Sequence, residues 1–307
     1  MHKILLTGSS GFVGKNMCEL LLKESFNVKE ISRKSVYKGK IIGDFSKVDN
    51  WTNIISDTDI IIHLSAYVHK KDNKFINKYN EDDDLDCKIT TKLATAAAKL
   101  GIKKFIFLSS IGVNGMFSEN KFNSKSELKP FSKYTYSKKN IEKRLLEISS
   151  KYKMEIIIIR SPLIYGKSAP GTFSLLHNAI INNYPIPFGR IKNNRRSYIS
   201  INNLTDFILF VIKKNNPSDG IYLVSDNQDI STFDLVRIMK SKANSDSLII
   251  GFPLFLLMII FFLIEKKNWI YSTIKSLEID CEETTNKIGW KPPYKLENEI
   301  NKIFNSS

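Results

Sequence analysis

Residues 3–14 read Lys3-Ile-Leu-Leu-Thr-Gly-Ser-Ser-Gly-Phe-Val-Gly14, a short apolar run that leads directly into glycines at positions 8, 11 and 14. A helical pattern of apolar residues, from Met17 to Leu22, follows at once. The glycines therefore lie where a strand turns into a helix, and free backbone N–H groups and the positive end of the helix dipole converge at such a turn. This arrangement predicts a diphosphate site rather than a purely structural turn, with Gly14 where the helix packs on the sheet.

Short apolar strands alternate with helical stretches through the first half of the chain. We predict strands near residues 3–7, 28–32, 40–43, 59–64, 104–109 and 155–160. Helices are predicted over 11–24 and 134–152, and another helix is predicted to end at 100–101. The runs at Ile60-Ile61-Ile62 and Ile156-Ile157-Ile158-Ile159 are apolar without interruption, which implies burial on both faces and hence a parallel sheet covered by helices. The predicted fold is α/β, a doubly wound parallel Rossmann sheet.

After Arg160 prolines and glycines break the chain into short pieces, and the regular alternation fades. We therefore predict an NAD(P)-binding Rossmann domain over residues 1–165 and a smaller C-terminal, mainly substrate-binding lobe over 166–307. The apolar residues 221–224 are expected to form a strand that returns to the main sheet, so the boundary is not a clean one.

Charge and cysteine content limit the classes of partner. The net charge is +15 in 307 residues, but lysine is spread along the whole chain and no arginine-rich or aromatic-interleaved stripe stands out. No nucleic-acid binding is therefore expected. The three cysteines, Cys18, Cys87 and Cys281, are far apart and match no metal spacing, which predicts reduced thiols, no metal site and a cytoplasmic protein.

Residues 248–264, from Leu248 to Ile264, carry no charged side chain. As a helix these 17 residues would reach ~25 Å, less than the ~30 Å hydrocarbon core of a bilayer, and Pro253 lies near their start. A buried or oligomer-facing helix is the first interpretation. A peripheral membrane contact at the inner membrane surface is the second, supported by the Trp269 and Tyr271 that follow, and a true span is the third.

The candidate catalytic residues follow the fifth predicted strand. Ser110 comes at the end of that strand, and Tyr134 and Lys138 open the next long helix. Because residues four apart share a helical face, the lysine ammonium can stabilise the phenolate of Tyr134, which suits a phenol that acts as acid or base. Ser110 would hold the reacting oxygen in line with Tyr134. The alternative is a surface Tyr–Lys pair without a catalytic role.

Two further positions bear on the cofactor. Asp44 follows the third predicted strand, where its carboxylate either accepts from the adenine amino group or caps a short helix. The second strand ends Ile31-Ser32-Arg33-Lys34, without the acidic residue expected for an NAD ribose, so Arg33 slightly favours the 2′-phosphate of NADP over NAD. The predicted cofactor-binding residues are Gly8, Ser10, Gly11, Phe12, Val13, Gly14, Arg33, Asp44, Phe45, Leu64, Ser65, Ala66, Lys138 and Pro162.

The order of these motifs resembles the extended short-chain dehydrogenase/reductases, and within them the NAD-dependent epimerase/dehydratase family acting on nucleotide sugars. The resemblance extends through Arg160-Ser-Pro162-Leu-Ile-Tyr165-Gly166 to Gly289-Trp290-Lys291-Pro292. It implies that Tyr134 is the acid/base, that Lys138 binds the nicotinamide ribose and that Ser110 is the hydroxyl partner at the sugar. It also implies that Arg196 contacts the substrate diphosphate, with Arg195 as a second candidate.

Two departures from the family pattern narrow the reaction. Dehydratases of the family carry Asp-Glu directly after the catalytic hydroxyl, whereas this chain has Ile111-Gly112, so 4,6-dehydration is not expected. The family's Asn-x-x-Gly-Thr appears as Asp86-Cys-Lys-Ile89-Thr90, which predicts weaker backbone support and an altered proton relay at that point.

The finer pattern, including Asn194-Arg195-Arg196-Ser197, is similar to a branch found in bacterial surface-polysaccharide synthesis. It implies 4-keto reduction or 4-epimerisation of a UDP-N-acetylhexosamine for O-antigen or capsule, by a homodimer. A non-catalytic NAD(P)-binding sensor or scaffold is one alternative. A membrane-docked epimerase acting on a lipid-linked sugar is another.

Overall fold

The computed structural model describes residues 2–32, 40–41, 43–66, 84–214, 219–263 and 267–305. The strands are β1 Lys3–Thr7, β2 Asn27–Ser32, β3 Lys40–Ile41, β4 Ile60–His63, β5 Lys104–Ser110, β6 Glu155–Ser161, β7 Leu163–Tyr165, β8 Tyr198–Ser200 and β9 Gly220–Leu223. The helices are α1 Phe12–Lys23, α2 Thr52–Ile55, α3 Leu85–Lys99, α4 Lys133–Tyr152, α5 Thr172–Ile181, α6 Ile201–Lys213, α7 Thr232–Lys242, α8 Leu254–Leu263, α9 Lys267–Ile274, α10 Glu282–Ile288 and α11 Leu296–Asn305.

The main sheet is parallel and has the strand order β3-β2-β1-β4-β5-β6-β9. Alternate residues of one strand enter two separate cores, since Ile60 and Ile62 pack beside α1 and α6, and Ile61 packs beside α3 and α4. Burial on both faces is the reason that the apolar runs show no alternation in sequence. The predicted doubly wound fold is confirmed, and the predicted strand near 221–224 is present as β9.

The C-terminal lobe is built around a separate core between α5, α7 and α11. A two-stranded parallel sheet of β7 and β8 connects it to the main domain. The chain then returns to the main sheet, because α6 packs on α1 and β9 pairs with β6. The lobe therefore lies over one end of a sheet to which its own sequence contributes the last strand.

The interpretation of residues 248–264 as a buried helix is wrong, whereas the oligomer-facing and membrane-contact interpretations stay predictions. Residues 248–250 are extended and pair with Ile186, and the helix α8 begins only after Pro253. Among the side chains of α8 that the structure describes, only Leu257 is buried. Nowhere in the described ranges is a helix both long enough and apolar enough to cross a membrane.

The start of α1 lies against the glycine loop at backbone distance. A Cβ atom added at Gly14 would collide with the carbonyl oxygen of Gly8 and lie 2.7 Å from the Cα of Ser9. No rotamer change can relieve such a contact, because the colliding atoms belong to the backbone. Glycine at position 14 is thus required for α1 to reach the sheet.

We predict that Gly14→Ala lowers the free energy of unfolding by about 3 kcal/mol, the upper part of the range for overpacked sites. The midpoint of thermal unfolding checks this. Gly251→Ala is the matched control, since the nearest atoms to its added Cβ belong to Arg190 at 3.6 and 3.7 Å, an ordinary contact. An equal midpoint for Gly14→Ala and the control would contradict the backbone-contact argument.

His63 is the last residue of β4, the central strand of the main sheet. Its Nδ1 lies 2.8 Å from Thr7 Oγ1 and its Nε2 lies 3.0 Å from Thr90 Oγ1, so β1 and α3 are joined through one ring. Burial, with a smaller contribution from the charge of Lys138, lowers the pKa of His63 to about 3. The ring is therefore neutral in the folded protein at physiological pH.

This lowered pKa makes stability depend on pH. The unfolded state binds a proton at His63 below its ordinary pKa of about 6.5, whereas the native state does not until about pH 3. Between these values stability is lost as pH falls, by at most about 1.4 kcal/mol per unit from this side chain. From pH 7.5 to pH 5, urea unfolding should show a smaller loss of unfolding free energy for His63→Asn than for wild type. The control His177→Asn, on α5, should lose as much unfolding free energy as wild type. An equal loss in all three proteins would refute the assignment of this pH dependence to His63.

Candidate active site

The carboxyl ends of the parallel strands bring the predicted site residues to one edge of the sheet. Thr7 is in register with His63, which is in register with Phe107. Three residues further along β5, Ser110 is in register with Ser161, which directly precedes Pro162. Loops that follow neighbouring strands at this edge commonly form the ligand site of an open α/β sheet.

The glycine loop presents backbone rather than side chains. Gly11 is the N-cap residue of α1 and offers no side-chain cap, and its N–H donates to the carbonyl of Gly8 at 3.0 Å. Gly8, at φ +74°, lies against the segment after β4, because a Cβ there would be 2.7 Å from the N of Ser65. The loop, the first turn of α1 and residues 64–66 thus enclose a backbone cradle of the kind that binds phosphate.

Two more predicted cofactor residues border this loop. The hydroxyl of Ser10 is hydrogen-bonded to that of Ser32 at the end of β2, 2.7 Å away, which fixes the loop against the neighbouring strand. Phe12 begins α1 beside Gly166, where an added Cβ would lie 3.2 Å from its Cζ. Val13 follows in the same turn. Arg33 lies outside the described residues, so the NADP preference drawn from it stays a prediction.

The helix-cap interpretation of Asp44 is present in the structure. Its Oδ1 accepts from the N–H of Ser46 at 3.0 Å, at the start of the short 3-10 helix Phe45–Lys47. The side chain of Phe45 is buried and packs edge-on against Trp51, with ring centroids 5.6 Å apart. The adenine contact proposed for this segment stays a prediction.

Tyr134 and Lys138 share one face of α4, as predicted. The helix begins with a capping box between Ser132 and Thr135, which places Tyr134 in the first turn. The Nζ of Lys138 lies 5.6 Å from the centre of the Tyr134 ring and 4.5 Å from that of Phe107. Since Phe107 stacks on His63, at 6.0 Å between centroids, this face of α4 contacts the sheet edge that carries the glycine loop.

The structure adds Asp86 to the site, a residue that the sequence offered only as a departure. Its Oδ2 lies 3.6 Å from the Nζ of Lys138, and the two side chains are 11% and 2% exposed. The neighbouring Asp84 accepts from Ser137 at 2.9 Å, so α3 and α4 are joined at the same level. Asp86 thus forms a buried ion pair with Lys138, while the effect of this departure on backbone support and on the proton relay stays a prediction.

Ser110 ends β5 and caps the 3-10 helix Ile111–Val113, where its Oγ accepts from the N–H of Gly112 at 3.1 Å. Ile111 is buried, and a Cβ at Gly112 would lie 2.7 Å from the Cγ2 of Thr135. The first turn of α4 thus occupies the space that a larger side chain at position 112 would need. The hydroxyl of Ser110 is held at the strand end with one lone pair engaged.

A second buried charge pair lies beneath this edge. Glu142, two turns after Tyr134, accepts from the guanidinium of Arg160 at 2.6 Å and from Ser109 at 2.5 Å. Arg160 also donates to Asn114 at 3.1 Å. Every member is buried, and the network ties α4 to β5 and β6. This network was not predicted from the sequence, although Glu142 stands eight residues from Tyr134 and so shares its helical face.

Arg196 lines a cavity of about 190 Å³ in the C-terminal lobe. The other lining residues are mostly apolar; they are Leu163, Thr172, Phe173, Leu175, Leu176, Ala179, Pro185, Ile186, Pro187, Phe188, Tyr198, Thr232, Leu235, Ser272 and Thr273. Arg196 is 7% exposed and donates to the carbonyl of Lys275 at 2.8 Å, and burial lowers its pKa. A buried guanidinium in an apolar cavity is suited to an anionic group of a ligand.

Arg195 does not share this placement. Its side chain is 61% exposed, and its Nε donates to the carboxylate of Glu278 at 3.2 Å. Adjacent residues in extended backbone point to opposite sides, so only one of the two arginines can enter the cavity. The role of Arg195 as a second candidate for the substrate diphosphate stays a prediction.

Comparison with known proteins shows the family to which the chain belongs. The model of the NAD dependent epimerase/dehydratase family matches residues 4–225. The chain is 32% identical over 301 residues to the UDP-glucose 4-epimerase of Vibrio cholerae, covering 96% of this chain and 92% of that protein. It is 27% identical over 246 residues to the N-acetyl-alpha-D-glucosaminyl-diphospho-ditrans,octacis-undecaprenol 4-epimerase of Escherichia coli O157:H7, covering 78% of this chain and 72% of that protein.

Solved structures share the fold at low sequence identity. The UDP-N-acetylglucosamine 4-epimerase from Bacillus cereus superposes with a TM-score of 0.79 at 17% identity, covering 99% of this chain and 98% of that one. The UDP-glucuronic acid 4-epimerase from Bacillus cereus in complex with NAD gives 0.77 at 17% identity, covering 99% and 97%. The matched family model spans both the glycine loop and the Tyr134–Lys138 pair. The chain is an enzyme of the NAD dependent epimerase/dehydratase family.

Proposed function

We propose that this protein is an NAD(P)-dependent nucleotide-sugar oxidoreductase that acts at sugar C4, by 4-epimerisation or 4-keto reduction of a UDP-N-acetylhexosamine for surface-polysaccharide synthesis. The observation that carries the proposal is the placement of Tyr134, with the ammonium of Lys138 beneath its ring, at the same sheet edge as the glycine loop. The Vibrio cholerae relative, similar over nearly the whole chain, supports C4 chemistry.

A nicotinamide dinucleotide fits the residues present. Gly11 gives the first turn of α1 no side-chain cap, and a Cβ at Gly14 would collide with the Gly8 carbonyl oxygen and separate that turn from the loop. The bound nicotinamide would accept the hydride from sugar C4 or deliver it there. Both NAD and NADP remain candidates, since Arg33 favours NADP while a structural neighbour was solved with NAD.

The chain's own residues handle the proton at O4. In the oxidative direction Tyr134, as phenolate, takes the proton from the O4 hydroxyl; in the reductive direction the phenol returns it. Lys138 stabilises the phenolate through its charge, and Ser110 donates a hydrogen bond to the same oxygen. Arg196, at the other end of the site, would hold the substrate's anionic diphosphate.

Elimination of water is not part of this proposal. Ile111 and Gly112 stand where dehydratases of the family carry Asp-Glu, and the contact of Gly112 with Thr135 leaves no room for a carboxylate. A non-catalytic cofactor sensor is also less consistent with the site, because binding a dinucleotide alone requires neither Ser110 nor Tyr134 in register.

A lipid-linked sugar is the second candidate substrate. It is favoured by the largely apolar lining of the Arg196 cavity and by the exposed apolar side chains of α8, a helix whose Leu257 packs in one cluster with Phe188 of the cavity lining. The Escherichia coli relative acts on an undecaprenol-linked substrate by its name. In that case the diphosphate near Arg196 would carry a prenyl chain instead of uridine.

Incubation with three substrates separates these reactions. UDP-N-acetylglucosamine should give its C4 epimer without net cofactor consumption if the enzyme is an epimerase. The 4-keto-6-deoxy derivative should consume one NADH or NADPH per sugar if it is a reductase. Conversion of only the undecaprenyl-diphosphate sugar would establish the second candidate, and conversion of none of the three would refute the proposal.

We predict that Tyr134→Phe reduces turnover by about 10³-fold, because the proton on O4 loses its acceptor while the ring is retained. Cofactor affinity, measured by quenching of intrinsic fluorescence, should change little. Tyr152→Phe, at the end of the same helix, is the control and should keep wild-type turnover. Near-normal turnover in Tyr134→Phe would exclude this residue as the acid/base.

We predict that Asp86→Asn moves the acid limb of the pH profile of turnover to lower pH. The charged and titratable groups at Lys138 are the carboxylate of Asp86, the neutral ring of His63 and the phenol of Tyr134. Removing the negative charge of Asp86 leaves the ammonium a stronger stabiliser of the phenolate.

Asp84→Asn is the matched control for this experiment. It removes a carboxylate that caps α3 and accepts from Ser137, so it should lower the unfolding midpoint without moving the acid limb. An unchanged profile in Asp86→Asn, or an equal shift in both variants, would show that the Asp86 pair is only structural.

A further inference from the structure

The ring of His63 has a hydrogen-bond partner on each of its two nitrogens, and the partners belong to different elements. Its Nδ1 bonds to the hydroxyl of Thr7, at the end of the strand that leads into the glycine loop, at 2.8 Å. Its Nε2 bonds to the hydroxyl of Thr90, on α3, at 3.0 Å. All three residues are buried, with at most 1% exposed, so solvent water cannot take the place of either bond. The proton transfer at O4 leaves this ring without a role.

The orientation of the His63 ring is fixed by its neighbours on β5. Phe107 stacks on it at 6.0 Å between ring centroids, and Phe105 contacts it at a tilt, with 5.9 Å between centroids. Because burial lowers the pKa of His63 to about 3, the ring is neutral and carries one N–H and one bare nitrogen. It therefore donates to one threonine hydroxyl and accepts from the other, which gives each hydroxyl a single direction.

The hydroxyl of Thr7 also contacts Ser65, which follows β4 and borders the glycine loop. The Oγ1 of Thr7 lies 3.3 Å from the Oγ of Ser65 and accepts from the N–H of Ser65 at 3.4 Å. Both of these bonds are long, whereas the bond to His63 is short, so the ring determines where the threonine oxygen lies. Gly8 packs against the same residue, since a Cβ added to it would lie 2.7 Å from the N of Ser65. The position of Ser65 beside the loop thus depends on a hydroxyl that His63 orients.

We propose that His63 is a positioning residue for the cofactor: through the Thr7 hydroxyl it holds Ser65 in place to bind the dinucleotide, and its bond to Thr90 does not contribute to cofactor affinity. The proposal rests on the proposed function, in which the glycine loop and residues 64–66 bind NAD or NADP. If the ring served only to join β1 to α3, the two bonds would be equivalent. The two roles therefore differ in what each bond contributes.

Substitutions at three positions separate the two bonds. An asparagine at position 63 places its amide where Nδ1 lies and keeps a partner for Thr7, whereas a glutamine places its amide where Nε2 lies and keeps a partner for Thr90. Thr7→Val and Thr90→Val remove one hydroxyl each and keep the branched shape of the side chain. Thr7→Val and His63→Gln therefore form the pair that loses the Thr7 bond. Thr90→Val and His63→Asn form the matched control pair that loses the Thr90 bond.

Titration of the full-length protein with NADH and with NADPH, followed by the fluorescence of the dinucleotide, measures the dissociation constant of each variant. Thr7→Val and His63→Gln should bind about fivefold more weakly than wild type, the size expected for one hydrogen bond. Thr90→Val and His63→Asn should bind as tightly as wild type. Thr7→Ser keeps the hydroxyl and should retain wild-type affinity. Thermal unfolding midpoints should fall in both pairs, because each variant leaves a buried polar group without its partner.

Titrations are run well below the lowest unfolding midpoint, so that affinity is compared between folded proteins. Equal weakening in both pairs, or wild-type affinity in both, would overturn the proposal, because the ring would then only join β1 to α3. Weakening confined to Thr90→Val and His63→Asn would overturn it as well. Wild type that binds neither NADH nor NADPH would instead overturn the cofactor assignment of the proposed function, and this inference with it.

Discussion

The rest of the structure depends on the contact between Gly14 and the backbone of Gly8. It allows the first turn of α1 to approach the end of β1 so closely that no Cβ can be inserted. The same loop contacts Ser65 after β4, and Thr7 at its start is bonded to His63. One close approach of backbone to backbone thus sets the position of a helix dipole, two strand ends and the neutral histidine between them.

The chemistry beside this loop depends on buried charges that are paired. Lys138 faces Asp86, and Arg160 faces Glu142, all on or against α4. Removing one member of such a pair leaves an uncompensated charge in a low-dielectric interior, which is more costly than losing an exposed pair. The helix that carries Tyr134 is therefore held at two levels, which gives the phenol of our proposal a rigid support.

Features set by local sequence could be predicted, and features set by distant partners could not. The glycine loop, the alternation of strands and helices and the shared face of Tyr134 and Lys138 follow from spacing within a few residues. The role of Asp86 depends on how α3 meets α4, which spacing does not encode. Arg195 and Arg196 look equivalent in sequence. They differ in the structure, because the extended backbone turns them to opposite sides and buries Arg196 but not Arg195. The apolar composition of α8 indicated burial, and its exposure arises because Pro253 and the pairing of residue 186 with 248–250 fix its orientation.

In the reaction that we propose, the chemistry takes place at sugar C4 and its O4, and the small space left at Gly112 by Thr135 is consistent with this. In our proposal Tyr134 transfers the proton at O4, and it does so in the same way in an epimerase and in a reductase. The two reactions differ in whether the keto sugar turns over within the site or leaves it. In our proposal the outcome depends on how the rest of the substrate is bound, and Arg196 and the apolar cavity around it provide that binding. Selection between the reactions is thus a property of the C-terminal lobe, whereas the Rossmann sheet supplies the chemistry common to both.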